Sequence, residues 1–177
     1  RELRGKTLGI IGFGKIGRQV AKIALGCGMK VIASDHQVGQ ADIKLTFFDG
    51  QDITLQIKTA PIDTLIQKSD FISLHVPAQS GYIIGKDEIE KMKTGVGIIN
   101  TARGGILDEV ALIEAIDEGK VSFAALDVFE NEPTPSIKVL MNEAISLSPH
   151  IGAATIEAQD RVGIELAEQI INLTTKA

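Results

Sequence analysis

Short apolar runs alternate along the chain with segments in which apolar residues recur every three or four positions. The runs, rich in branched aliphatic side chains, predict β-strands, and the spaced segments predict amphipathic helices. The predicted strands are 7–12, 29–34, 70–76, 96–100, 123–128 and 144–148, and the predicted helices are 15–28, 61–68, 86–92, 108–118 and 155–173. Asp108 is a suitable N-cap for the fourth helix, and Gly119 is a suitable C-terminal stop. Strand–helix alternation with nearly continuous apolar strands is typical of an α/β fold with a doubly wound parallel sheet.

One segment departs from this alternation of strands and helices. In residues 43–57, "IKLTFFDGQDITLQI", apolar and polar residues alternate on both sides of Asp49-Gly50. Two such runs joined by Asp-Gly predict a β-hairpin. We interpret it as an insertion where a parallel sheet needs only a short connection. We expect a structural or interface role for it rather than a catalytic one.

Composition and charge narrow the class of protein. A chain of 177 residues is long enough for one domain with a substantial core. Its net charge of −5 is spread along the sequence, which argues against a nucleic-acid partner. No apolar run approaches the roughly 18 residues of a membrane span, so no membrane association is predicted. The single cysteine, Cys27, excludes an intrachain disulfide, and no zinc-ligand spacing occurs, so no metal site is predicted. We expect a reducing, cytoplasmic location and a buried, structural Cys27.

A glycine-rich motif joins the first predicted strand to the first predicted helix. In "GFGKIG", Gly12 permits the tight turn, Gly14 lets a pyrophosphate approach the backbone, and Gly17 lets helix and strand pack closely. The helix N-terminus offers unpaired N–H groups to the phosphates. Asp35 ends the second strand, where its carboxylate can accept hydrogen bonds from the adenosine ribose and repel a 2′-phosphate. The sequence therefore predicts a Rossmann-type sheet that binds NAD rather than NADP.

Three later predicted strands are each followed by an ionisable side chain. Arg103 follows the strand at 96–100, Glu132 follows 123–128, and His150 follows 144–148. In open α/β sheets, ligands bind outside the carboxyl ends of the strands. We therefore predict that these three side chains meet at one edge of the sheet and form a catalytic site.

Each residue type suits a role in the oxidation of a hydroxy acid. Arg103 can hold a substrate carboxylate with two hydrogen bonds and polarise its C2 oxygen. His150 can take the hydroxyl proton as hydride leaves and return it in the reverse direction. Glu132 can accept the other ring N–H of His150, which fixes the tautomer and favours the imidazolium. Glu130 lies two residues away, so the assignment of the acid is the least secure of the three, and Arg103 could instead be a surface ion-pair residue.

The residues that carry this chemistry lie in motifs that resemble a known family. The segments are "ELRGKTLGIIGFGKIG", "SDFISLHVP", "INTARGGILDEVALIEAI", "AALDVFENEP" and "SPHIGAATIEAQDR". Together they resemble the nucleotide-binding domain of the NAD-dependent D-2-hydroxyacid dehydrogenases, over nearly the whole chain except roughly residues 37–59. The resemblance implies that Arg103, Glu132 and His150 are the catalytic residues, and that Asp127 lies near the nicotinamide carboxamide. The candidate cofactor contacts are Gly12, Gly14, Lys15, Ile16, Gly17, Asp35, His75, Val76, Pro77, Thr101, Ala102, Arg103, Asp127, His150, Gly152 and Ala153.

Within the family, the runs around Glu132 and His150 look most like the 3-phosphoglycerate dehydrogenases of serine synthesis. The resemblance also implies that residues 1–177 form one NAD-binding domain, inserted into a substrate domain that continues on both sides. A homodimer built through this domain is expected. Two alternatives stay open: a glyoxylate or hydroxypyruvate reductase, and an NAD-responsive binding module such as a corepressor, in which catalysis is secondary.

Overall fold

Eight strands and six helices make up the computed structural model over residues 2–174, the part of the chain that it describes. In chain order they are β1 (Thr7–Ile11), α1 (Lys15–Gly26), β2 (Lys30–Ser34), β3 (Gln40–Thr46), β4 (Asp52–Lys58), α2 (Ile62–Lys68), β5 (Phe71–Leu74), α3 (Lys86–Lys91), β6 (Val96–Asn100), α4 (Glu109–Asp117), β7 (Val121–Leu126), α5 (Ile137–Leu140), β8 (Ile145–Leu147) and α6 (Ile156–Thr174). No helix in the described range is both long enough and apolar enough to cross a bilayer.

Six of the strands form one sheet in the order β2-β1-β5-β6-β7-β8, and every neighbouring pair is parallel. The chain leaves β1 toward β2 and then returns to β5 on the other side of β1. The strand order therefore reverses at β1, which makes a crevice for ligands at the carboxyl ends of the strands. The prediction of a doubly wound, Rossmann-type parallel sheet is confirmed.

The core consists of two clusters of buried apolar side chains. Leu8 and Ile10 of β1 belong to one cluster with residues of α1, whereas Ile11 belongs to the other with residues of α2, α3 and α4. Since neighbouring residues of a strand point to opposite faces, the two clusters lie on opposite faces of the sheet. Helix α6 contributes no buried residue to either of them.

The predicted hairpin is confirmed, and it forms a sheet of its own. Strands β3 and β4 pair antiparallel from Gln40 opposite Lys58 to Thr46 opposite Asp52. The hairpin is anchored by Ile43, which is buried in the same cluster as the helix α1 residues. Its tip projects away from the core, and the Phe48 side chain is fully exposed there.

Several local predictions can be checked directly. Asp108 caps helix α4, since its carboxylate accepts hydrogen bonds from the N–H groups of Val110 and Ala111. Gly119 follows the helix with φ +74°, as a C-terminal stop requires. The expectation for Cys27 is wrong: the thiol is exposed, because the residue ends α1 at the surface. Helix α5 was not predicted, because one helical turn carries no readable periodicity.

Candidate active site

The glycine-rich loop between β1 and α1 has no room for side chains at two of its three glycines. Gly12 has φ +93°, and a Cβ there would lie 2.3 Å from the carbonyl oxygen of His75, which directly follows β5. A Cβ on Gly17 would lie 2.1 Å from the carbonyl oxygen of Gly12, so this glycine lets α1 pack against the loop. A Cβ on Gly14 would meet nothing within 4 Å. Gly14 therefore presents bare backbone to open space, which fits the approach of a pyrophosphate.

The loop forms one wall of a cleft of about 670 Å³ at the carboxyl ends of β1, β2 and β5. This volume is in the usual range for small-molecule sites, roughly 300–1,000 Å³. Among the predicted cofactor contacts, those that line the cleft are Gly12, Gly14, Asp35, His75, Val76 and Pro77. The cleft lies at the point where the strand order reverses, so its position and its backbone wall fit a dinucleotide.

The carboxylate of Asp35 is bound to the backbone around it. Its Oδ2 accepts a hydrogen bond from Phe13 N at 2.6 Å, and its Oδ1 accepts from Gln37 N and Val38 N at 2.7 and 3.0 Å. Burial alone would raise the pKa of Asp35, but these N–H groups outweigh burial and lower the pKa. Asp35 thus stays ionised and fixes the glycine-rich loop relative to the turn after β2. A ribose contact for its remaining lone pairs is still a prediction.

His75 lies at the end of β5 on the wall of the same cleft. Its Nε2 is 2.9 Å from the hydroxyl oxygen of Ser73. Burial lowers the pKa of His75, which favours a neutral ring. A neutral, anchored ring suits the expected contact with the cofactor better than a role in proton transfer.

His150 and Glu132 are in direct contact at the far end of the sheet. The His150 Nδ1 is 2.7 Å from Glu132 Oε2, and Glu132 Oε1 accepts a hydrogen bond from Phe129 N at 3.0 Å. The hydrogen bond from His150, together with the Phe129 N–H, lowers the pKa of Glu132. An ionised Glu132 accepts the Nδ1 proton, so Nε2 of the neutral ring is left as an acceptor. The predicted histidine–carboxylate pair is therefore present.

The pair lies on the wall of a cavity of about 410 Å³. Most of the other walls are apolar side chains: Phe129, Pro133, Pro135, Leu140, Leu147 and Pro149. Both side chains of the pair are themselves exposed, so a substrate that enters the cavity can reach the imidazole.

The loop that carries His150 is held by Asp127 at the end of β7. Asp127 is 4% exposed, and its carboxylate accepts hydrogen bonds from Ser148 Oγ at 2.6 Å, Ile151 N at 3.0 Å and Gly152 N at 2.9 Å. Burial would raise the pKa of Asp127, but these three donors outweigh burial and lower the pKa. His150 itself has φ +55°, a left-handed conformation that non-glycine residues seldom adopt. Asp127 thus fixes a loop that turns the imidazole toward Glu132, a role the sequence did not reveal.

Arg103 lies in the loop after β6, and buried Asn100 fixes that loop. The Asn100 side chain donates to the Arg103 carbonyl at 2.9 Å and accepts from Ala102 N at 3.1 Å. The next residue, Gly104, packs so closely on the Phe129 backbone that a Cβ would lie 1.8 Å from its carbonyl oxygen. Gly104 therefore allows a close approach of two backbone segments, whereas Gly105 has φ +74° and open space around it.

The three predicted catalytic side chains are brought together only in part. His150 and Glu132 meet, whereas the exposed Arg103 guanidinium donates to the Ala102 carbonyl at 2.6 Å and, within residues 2–174, makes no hydrogen bond to either partner. All three follow adjacent strands, β6, β7 and β8, at one edge. The other predicted cofactor contacts lie in the first turn of α1 or in the loops after β6 and β8: Lys15, Ile16, Thr101, Ala102, Gly152 and Ala153.

A pair of glutamates joins the Arg103 loop to the Glu132 loop. Glu130 Oε1 accepts from Glu109 N at 2.9 Å, and Glu109 Oε1 accepts from Glu130 N at 2.7 Å. Burial raises the pKa of Glu109, and the nearby Glu130 carboxylate adds to the rise, against the lowering effect of the Glu130 N–H. The reciprocal bonds connect the start of α4 with the segment that precedes Glu132. Of the two neighbouring acids, Glu130 is thus engaged with the backbone, and Glu132 faces the histidine.

Comparison with known proteins agrees with this geometry. Residues 1–152 match the model of the family described as D-isomer specific 2-hydroxyacid dehydrogenase, NAD binding domain. Among curated relatives, the chain is similar to hydroxypyruvate reductase of Thermotoga maritima, with 51% identity over 175 residues that cover 96% of this chain and 53% of the relative. It is also similar to D-3-phosphoglycerate dehydrogenase of Archaeoglobus fulgidus, with 45% identity over 175 residues, 97% of this chain and 32% of the relative.

Among solved structures, the chain is similar to D-lactate dehydrogenase from Aquifex aeolicus, a complex with NAD and lactic acid. The identity is 32% and the TM-score 0.77, and the match covers 99% of this chain and 55% of the other. The chain thus spans about half the length of these relatives, or less. It belongs to the D-isomer specific 2-hydroxyacid dehydrogenase family and carries the NAD-binding domain of that family.

Proposed function

We propose that the protein interconverts a D-2-hydroxy acid and the corresponding 2-oxo acid with NAD as cofactor. The observation that carries the proposal is the 2.7 Å contact between His150 and Glu132, at the same sheet edge as a glycine-rich loop with open space at Gly14. A histidine whose Nδ1 is held by a carboxylate is a general acid–base whose other nitrogen is free to face a substrate. When bound, NAD supplies the acceptor for the hydride.

His150 provides the proton transfer in this reaction. Its Nε2 takes the proton of the substrate hydroxyl as the C2 hydride departs, and the imidazolium returns that proton when a 2-oxo acid is reduced. Glu132 stabilises the imidazolium, because its pKa is lowered and it stays ionised while the ring is charged. Asp127 keeps the ring in position by holding the loop on both sides of it.

Arg103 is the proposed anchor for the substrate carboxylate. Its guanidinium is exposed at the same edge as the histidine pair, and it is the side-chain type that binds a carboxylate through two parallel hydrogen bonds. Because Arg103 makes no hydrogen bond to His150 or Glu132 within residues 2–174, we assign it a role on the substrate rather than on His150. Substrate bound between them would be held at its carboxylate and deprotonated at its hydroxyl.

For the substrate itself, we propose 3-phosphoglycerate, which the motifs around Glu132 and His150 suggest and the named relative from Archaeoglobus fulgidus supports. Hydroxypyruvate is the second candidate, because the relative at 51% identity is named a hydroxypyruvate reductase. The two candidate pairs, 3-phosphoglycerate with its 2-oxo acid and D-glycerate with hydroxypyruvate, are three-carbon acids with oxygen on C3 that differ by a phosphate. We further propose that residues 1–177 act as the NAD-binding domain beside a separate substrate domain, in a homodimer.

Steady-state kinetics of the full-length protein test the proposed chemistry. His150→Asn keeps a residue that tolerates positive φ but removes the acid–base group, so kcat should fall about 10²- to 10⁴-fold while NAD affinity is unchanged. Glu132→Gln should lower kcat less than His150→Asn does, because an amide oxygen still accepts the Nδ1 proton. Glu143→Gln, an exposed glutamate on the loop before β8, is the matched control. Near-normal turnover of His150→Asn would contradict the mechanism.

The same assay separates the two substrates. Oxidation of 3-phosphoglycerate with a kcat/KM well above that of D-glycerate supports the first candidate. A kcat/KM for D-glycerate above that for 3-phosphoglycerate, together with fast reduction of hydroxypyruvate, supports the second candidate, hydroxypyruvate. An enzyme that binds NAD but turns over neither acid, nor lactate or glyoxylate, would instead favour a binding module.

A further inference from the structure

The inserted hairpin and helix α1 enclose a second cleft, which shares no lining residue with the cleft at Asp35 and His75, although two of the predicted cofactor contacts, Lys15 and Ile16, lie at its edge. It has a volume of about 630 Å³, and its walls are the first two turns of α1 and strand β3. The lining residues are Lys15, Ile16, Arg18, Gln19, Lys22, Asp42, Ile43, Lys44 and Thr46, and none of them lines the cleft that contains Asp35 and His75. Because Ile43 is packed against the core beneath α1, the hairpin forms a fixed wall of this cleft.

The charge in this second cleft is opposite to that of the whole chain. Four cationic side chains and one carboxylate line it, in a protein whose net charge is −5. Lys15, Arg18 and Lys22 are spaced three and four residues apart on α1, so they lie on one face of the helix. The first turn of the helix contains no acidic residue. Like charges at this spacing cost a helix stability unless an opposite charge lies between them.

Two of the four cations have no carboxylate within ion-pair distance in the part of the chain that the structure describes, although Lys22, after Lys44, helps to lower the pKa of Asp52. Lys15 pairs with Glu165 at 3.4 Å and Lys44 pairs with Asp52 at 2.6 Å. Arg18 and Lys22 make no ion pair within residues 2–174; the Arg18 Nε donates to the Gly14 carbonyl at 3.2 Å, which leaves its other guanidinium donors unused. The cleft therefore contains an unneutralised positive charge with donors that suit a phosphate or carboxylate group.

We infer that the cleft between α1 and β3 binds a small anion with two or more negative groups, of the phosphate-ester or polyphosphate class. Arg18 and Lys22 would hold the anion from the helix, and Lys44 would contact it from the hairpin. The bound anion would join the hairpin to α1 next to the glycine-rich loop. The inference concerns a site outside the proposed catalytic residues and does not depend on which hydroxy acid is the substrate.

Calorimetric titration with inorganic pyrophosphate tests the site. The protein is saturated with NAD beforehand, so that the pyrophosphate of the cofactor already occupies the glycine-rich loop, and ionic strength is held constant. We expect saturable binding with a Kd below about 1 mM. The double variant Arg18→Gln/Lys22→Gln should raise this Kd at least about tenfold without a change in NAD affinity. Slower amide exchange in β3 on addition of pyrophosphate would locate the anion against the hairpin.

A matched control uses two exposed lysines away from the cleft. Lys30→Gln/Lys58→Gln removes the same amount of charge, and its Kd for pyrophosphate should equal that of the unmodified protein. Three results would overturn the inference: no binding to the NAD-saturated protein, an equal loss of binding in both double variants, or a parallel loss of NAD affinity in Arg18→Gln/Lys22→Gln. The last result would assign these cations to the cofactor site.

Discussion

Replacement of Asp127 by asparagine tests whether the His150 loop depends on one buried carboxylate. Asparagine has nearly the same shape, so the change removes charge and one acceptor without leaving a cavity. Its single carbonyl oxygen can still accept from Ser148 and Ile151, but its NH₂ group then faces the Gly152 N–H. One charge-assisted hydrogen bond is lost, and the buried NH₂ group of the asparagine is left without an acceptor.

The expected loss follows from these contacts. A hydrogen bond to a charged group contributes about 1.5–3 kcal/mol, and an unsatisfied buried donor costs about 1–3 kcal/mol. Because the two effects overlap, we expect Asp127→Asn to lower the free energy of unfolding by about 2–4 kcal/mol at pH 7. For a domain of this size the fall in Tm should be about 4–16 °C.

The same variant should respond to pH with a definite sign. The pKa of Asp127 is lowered in the folded chain, so its contribution is complete above the ordinary aspartate pKa of about 3.9 and is lost as pH falls through the folded value. Urea unfolding at several pH values should therefore show the difference between the two proteins narrowing below about pH 4.

The control for this experiment is Asp49→Asn, in the exposed hairpin turn, where the carboxylate accepts one hydrogen bond from Gln51 N. Asp49→Asn should change the free energy of unfolding by no more than about 0.5 kcal/mol. The proposed role of the carboxylate would be refuted if Asp127→Asn lowered the free energy of unfolding by less than about 1 kcal/mol. It would also be refuted if the difference in stability between the two proteins did not change with pH.

Three further experiments give independent tests. Gly17→Ala should lower Tm, because the added methyl group would overlap the Gly12 carbonyl. Gly14→Ala should fold normally and lose NAD affinity. Equal effects of the two substitutions on Tm would contradict the packing. Glu109→Gln should become more stable relative to the unmodified protein as pH rises from about 4.3. Burial raises the pKa of Glu109, so ionisation of this carboxyl destabilises the folded state of the unmodified protein. A stability difference in urea that is the same at every pH would contradict this. NAD at 100 times its Kd should stabilise the protein by about 2.7 kcal/mol in thermal unfolding, and NADP far less; equal protection would remove the basis for the Asp35 assignment.

Periodicity was enough to predict the main sheet, because its central strands β1, β5 and β6 are buried on both faces and read as continuous apolar runs. The Asp49-Gly50 turn likewise predicted the hairpin, since that dipeptide is a strong short-range signal. Periodicity could not predict α5, which has only one turn. It also gave the wrong environment for Cys27, because a neighbouring apolar run does not say on which side of a helix end a residue lies.

The contact between His150 and Glu132 could be predicted because both residues follow strands that a parallel sheet places side by side. The hydrogen bonds that hold the two loops in place could not be predicted from the sequence. Asp127 and Ser148 are 21 positions apart, and Glu109 and Glu130 are also 21 apart. Such pairs carry no local pattern, because the donors, the Ser148 hydroxyl and the backbone N–H groups of Glu109 and Glu130, reach their partners only in the finished fold.

Because the backbone at His150 is left-handed, the choice of replacement decides whether a loss of activity reports the missing imidazole alone. Alanine adopts positive φ less readily than histidine or asparagine, so part of any lost activity would report backbone strain. Glycine adopts φ +55° freely and leaves a ring-sized gap beside Glu132. Chemical rescue with free imidazole should accordingly be sought in His150→Gly, where the added base would restore the missing group to an undistorted loop.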